Sequence, residues 1–131
     1  MITAYATREP FDPPQLYGDF LLREDDRSGT VVLHHGRVKR PGEQVPAFRW
    51  VELEPRVADV DTRLTDLAQA AQERYRLQSV LLIHRLGRVE AGGTVLLAIV
   101  SGSTRDRCFD ACRFLVDEVK KEEVVGLTER P

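Results

Sequence analysis

Residues 80–101 read VLLIHRLGRVEAGGTVLLAIVS, and this stretch decides the fold. Ser79–Leu86 and Thr94–Ser101 are two short apolar runs, and both read as strands. The second is nearly continuous in apolar residues, the pattern of a strand buried on both faces. Gly87 ends the first run, and Glu90-Ala91-Gly92-Gly93 reads as a hairpin-type turn between the two. Downstream, Gly102 breaks the strand and Ser103 or Thr104 caps a helix to about Glu122. Asp106 in its first turn and Lys120-Lys121 in its last suit the helix dipole.

Upstream, Val57, Val60, Leu64, Leu67, Ala68, Ala71 and Tyr75 recur at spacings of three and four. They predict a long amphipathic helix with Pro55 in its first turn and its end near Arg76. Val45–Glu54 reads as a strand with Phe48, Trp50 and Glu52 on one face and Arg49, Val51 and Leu53 on the other. Before it, Arg37–Gln44 is a polar loop with a Pro-Gly turn and a basic cluster, Arg37, Lys39 and Arg40. Thr30–Val38, rich in β-branched residues, is a further strand, and Arg23–Gly29 a solvated turn. Asp12-Pro13-Pro14 leads into a short helix, Gln15–Leu22, and Ile2–Thr7 is a short edge strand. The order is β-α-β-β-α-β-β-α. Only the long helix offers a crossover between core strands, so the class is α+β with a largely antiparallel sheet.

The chain has 131 residues, which predicts a single domain over 1–131. Within it, 1–27 form a strand and helix lead-in, 28–121 the core, and the polar, glycine-containing residues 122–131 a frayed tail. Lys plus Arg number 19 against 21 Asp plus Glu, a net charge of −2. That excludes a globally basic nucleic-acid binder. No apolar run approaches a membrane span. Met1–Pro14 has no basic stretch followed by an apolar core, so no signal peptide is expected. Two cysteines without an export signal point to the reducing cytoplasm.

Cys108 and Cys112 share one face of the last helix and continue its apolar stripe with Leu115 and Val119. They read as small core residues; half of a metal site would need two more ligands, and no spacing in the chain supplies them. His34 and His35 are adjacent on a strand and point to opposite faces, and His84 stands beside Arg85, so no histidine pair has ligand spacing and no metal is expected. Ser101 and Ser103 flank Gly102 without forming a nucleophile elbow. The strand–turn–helix at Thr94–Arg105 is a better candidate. Its free N–H groups and dipole favour an anion, and Arg105 adds a charged fork. One arrangement has the basic loop Arg37–Arg40 converging on the same place.

In this order the blocks resemble the MoaE family, the large catalytic subunit of molybdopterin synthase. They are Thr30–Val38 (TVVLHHGRV), Phe48–Glu54, the long helix, Val80–Gly87 (VLLIHRLG), Val89–Gly93 (VEAGG), Val95–Ser101 (VLLAIVS) and the helix Arg105–Lys120. The resemblance spans roughly residues 28–121, and Ile83-His84-Arg85-Leu86-Gly87 is its most specific element. It implies the α/β hammerhead fold and a homodimer. It also implies a ubiquitin-like small partner, MoaD, whose Gly-Gly thiocarboxylate tail enters a pocket near the dimer interface. Sulfur then passes to cyclic pyranopterin monophosphate, with no metal or cofactor, no nucleic acid and no membrane involved.

Carried over residue by residue, Lys120 matches the first catalytic lysine and Arg105 the arginine opening the last helix. Thr104 replaces the family's histidine there. Arg37, Lys39, Thr104 and Arg105 become phosphate-binding candidates, Lys39 standing where the family has an arginine. His34, where the family often has an aromatic, and Lys121 are possible pocket residues. The family's second lysine sits in a Pro-aromatic-Trp-Lys segment. Val124-Val125-Gly126-Leu127 occupies that stretch, Leu127 falls on the lysine position, and the family's further tail has no counterpart up to Pro131. The chain thus reads as a divergent synthase subunit. The alternative is a catalytically degenerate dimer that binds a partner or an anionic ligand without turnover.

Overall fold

A computed structural model describes residues 1–131. The elements are β1 (Ile2–Thr7), α1 (Pro13–Leu22), β2 (Thr30–Arg37), β3 (Trp50–Pro55), α2 (Val60–Tyr75), β4 (Ser79–Arg85), β5 (Gly87–Glu90), β6 (Thr94–Gly102), α3 (Arg105–Lys120) and β7 (Val125–Arg130). They form two sheets, one ordered β1-β4-β6-β2 and one ordered β5-β3-β7. Every strand pair is antiparallel except β1 with β4. The α+β, largely antiparallel class is the one the hydrophobic patterning predicts.

Alternation along the strands assigns the faces. Val80 and Leu82 of β4, and Leu96, Ala98 and Val100 of β6, point into the main core. There they meet Leu64, Ala68 and Ala71 of α2, Cys108, Ala111, Cys112 and Leu115 of α3, and Val51, Leu53 and Val125 of the second sheet. The opposite face carries Leu81, Ile83, Leu97 and Ile99, covered by Phe20 and the apolar side of α1. This two-faced burial explains the unbroken apolar run of β6. Cys108 and Cys112 are free, buried thiols. Burial pushes the Cys112 thiol up to about 11, so it stays protonated and packs as a small apolar group.

Several boundaries differ from the sequence reading. The turn at Glu90–Gly93 joins β5 to β6, which lie in different sheets, rather than closing a hairpin. Gly87 at φ +87° lets the chain leave the first sheet and start β5 against β3. Gly92 at φ +86° turns it back into β6. β3 begins at Trp50, not Val45, and Phe48 is buried with Val51 and Leu53 although alternation put it on the other face. Pro55 closes β3 instead of opening α2, which starts at Val60. The tail expected to fray is β7, paired with β3 from Trp50↔Arg130 to Pro55↔Val125. Val125 is buried and Leu127 packs against the core, so two apolar residues in a polar stretch anchor the strand.

His84 of the IHRLG block is only 7% exposed, opposite Leu96 and Ala6 in the ladder, with Nδ1 2.8 Å from the Arg85 carbonyl oxygen. Burial pushes its pKa down. The unfolded chain therefore takes up the proton first, and stability falls as pH drops through the ordinary histidine value of about 6.5 toward the lower folded value. His84→Gln flattens this slope, by at most about 1.4 kcal/mol per pH unit, in denaturant titrations between about pH 7.5 and 5.

Candidate active site

β2 begins at Thr30, opposite Gly102 at the end of β6. α3 leaves from that same end and packs back over β2, with the Cys108 Sγ 3.7 Å from the Thr30 carbonyl oxygen. The sixteen residues of α3 and the eight of β2 are both about 25 Å long, so their far ends also coincide. Lys120 therefore stands over the Gly36–Arg37 end of β2. Thr104 and Arg105 stand at the Thr30 end.

At the Lys120 end, His34 pairs opposite Ala98 and so faces the main core and α3, while His35, opposite Leu97, faces the other way. His34 is half-buried. Burial, then the positive charge of Lys120, then His35, lower its pKa, so the ring is neutral at pH 7. Lys120 is exposed. Lys121 is held by Glu118, Nζ to Oε1 3.0 Å, which raises its pKa. Arg37 donates its Nε–H to the Gly92 carbonyl oxygen at 3.2 Å and so braces the turn between β5 and β6. Lys39 is exposed on the following loop, where its charge acts on Glu129.

Glu129 was not a candidate from sequence. Its carboxylate accepts backbone N–H bonds from Glu43, Gln44 and Val45 at 3.0, 2.7 and 2.6 Å, and these bonds hold its pKa below the usual value. Gln44 answers by accepting the Glu129 N–H at 3.1 Å. The basic loop is thus tied to β7 across some 85 residues of sequence, a contact that no local pattern reveals.

At the other end, Thr104 is the N-cap residue, extended at φ −130°, ψ 149°, and its side chain makes no capping bond. The first-turn N–H groups and the exposed Arg105 remain available to an anion. The basic loop does not converge here, because β2 carries it to the Lys120 end. Leu127 is opposite Leu53 and packs against the core. The nearby cation is Arg56, whose guanidinium lies over Gly126. Gly126 and Leu127 point to opposite faces of β7, so Arg56 does not stand in for a lysine at Leu127.

The two-sheet α+β scaffold thus carries an exposed cation at each end of one long helix, Arg105 at its start and Lys120 at its end. The family model described as MoaE protein matches residues 6–122, and the chain belongs to the MoaE family. It is 32% identical over 114 residues to the molybdopterin synthase catalytic subunit of Caulobacter vibrioides, covering 87% of this chain and 73% of that one. It is likewise 32% identical over 115 residues to the Vibrio cholerae protein of the same name, covering 86% of this chain and 73% of the relative. Among solved structures, molybdopterin synthase from Staphylococcus aureus superimposes with a TM-score of 0.82 at 20% identity, covering 96% of this chain and 89% of that one. A complex of subunits 1 and 2 of the molybdopterin-converting factor from Helicobacter pylori gives 0.77 at 13% identity, covering 98% and 83%.

Proposed function

We propose that this chain is the catalytic, large subunit of a molybdopterin synthase acting in molybdenum cofactor biosynthesis in the cytoplasm. It takes sulfur from the C-terminal thiocarboxylate of a MoaD-type small subunit and transfers it to cyclic pyranopterin monophosphate. The observation that carries the reading is the family match, continuous from residue 6 to 122 across both ends of α3. The Helicobacter pylori complex supports a two-subunit assembly.

Both partners of this reaction are anionic, and charge develops on sulfur and oxygen as bonds change. Lys120 is the cation placed to stabilise that charge, because it is exposed and free of acid partners. Arg105, Thr104 and the uncapped start of α3 bind phosphate, and Lys39 contributes a point charge from the loop. Arg105 and Lys120 lie fifteen residues apart on one helix, about 22 Å, which exceeds the reach of one small substrate. A pocket holding both needs Lys120 from one copy and Arg105 from a second, which is the reason to read the protein as a homodimer.

The test is reconstitution with the thiocarboxylated small subunit and the cyclic substrate. Molybdopterin forms if the reading holds. Capture of the small subunit without product identifies a binding protein instead.

A further inference from the structure

His34 differs from the other two histidines in that neither ring nitrogen has a hydrogen-bond partner. His35 Nε2 lies 2.8 Å from the Thr94 hydroxyl, and His84 Nδ1 lies 2.8 Å from the Arg85 carbonyl oxygen. The His34 ring leans along β2 over Gly36. Its Nε2 is 3.4 Å from the point where a side-chain carbon at that position would stand. The charges that act on it are Lys120 of α3 and His35 of its own strand, which faces away, and across the ladder stand the apolar Ala98 and, opposite Gly36, Leu96. The result is a half-buried imidazole with free nitrogens under the helix end that carries the unpaired Lys120 ammonium, whose charge acts on it.

We propose that His34 is the general base that releases sulfur from the small subunit's tail. The inference rests on the synthase reading and deepens it. When the thiocarboxylate sulfur bonds to a substrate carbon, that sulfur bridges the tail's acyl carbon and the substrate. Release needs water: the water oxygen bonds to the acyl carbon, the carbon–sulfur bond breaks, and its electron pair leaves on sulfur as a thiolate. One water proton passes to the free nitrogen of His34; the other stays on the new carboxylic acid and is lost to solvent. Lys120 fits the same step, since its charge favours the unprotonated imidazole and stabilises the oxyanion on the acyl carbon.

The experiment is a single turnover with native protein, His34→Phe and His34→Ala between about pH 5 and 9, with the tail–substrate conjugate followed by intact mass. Native protein releases molybdopterin with a rate that falls on the acid side. Both variants accumulate the conjugate, release product about 100-fold more slowly and lose the acid limb. Added imidazole speeds release by His34→Ala and not by native protein. Conjugate accumulation also shows that the variants are folded. Release by His34→Phe at the native rate, an unchanged acid limb, or failure of either variant to form the conjugate overturns the proposal. No conjugate and no product from native protein overturns the synthase reading, and this proposal with it.

Discussion

Lys120→Ala lowers the single-turnover rate of molybdopterin formation by about 100- to 1,000-fold, the loss expected when one charge-stabilising donor is removed from a site. The melting temperature stays within about 2 °C of native, because an exposed side chain outside any ion pair contributes little to stability. No neighbour makes good the loss. Lys121 is engaged by Glu118, Leu127 is packed against the core, and Arg56 lies on the far face of β7. Lys121→Ala is the matched control and changes the rate by less than about threefold. Equal losses in the two variants would show that charge at this helix end acts without position.

Glu129→Ala has the second largest effect. Three backbone N–H groups of the loop lose their common acceptor, and the loop carrying Lys39 is released from β7. Sulfur transfer falls about 100-fold through misplacement of the loop. Amide exchange at Gln44 and Val45 rises while exchange in β6 stays native. The pH dependence has a definite sign. The folded pKa of Glu129 is depressed, so its contribution is fully present above the ordinary carboxylate value and is lost as pH falls through the lower folded value. Protection at Gln44 and Val45 therefore persists below about pH 4.5 and then disappears. Exchange unchanged in Glu129→Ala would contradict the cradle.

Most of the scaffold was legible because local patterns carried it. The periodicity of Val60 to Tyr75, the apolar run of Thr94–Ser101 and the β-branched Thr30–Arg37 each commit their segment to one element. The second sheet was not legible for the same reason inverted. β5 has four residues with one buried side chain, and β7 is polar on one face, so each is a strand only because β3 lies between them. The site divides in the same way. Lys120 and Arg105 stood out by type and by their places at the two ends of the predicted helix, yet only the course of α3 over β2 shows that the basic loop lies at the Lys120 end and not at the Arg105 end. Glu129 gave no signal, because its partners lie in a loop far away in sequence.

The most direct measurement mixes two impaired chains. Lys120→Ala and Arg105→Ala are combined under conditions that let protomers exchange, then assayed with the thiocarboxylated small subunit and the cyclic substrate. A site drawing Lys120 from one copy and Arg105 from the other is whole once in every mixed dimer. Random pairing then restores about a quarter of the native sites, and molybdopterin forms in a phase of about a quarter of the native amplitude at the native rate, a phase that neither variant alone shows. A mixture as impaired as its components, while the native chain turns over, contradicts the two-copy site; no product from the native chain contradicts the synthase assignment itself.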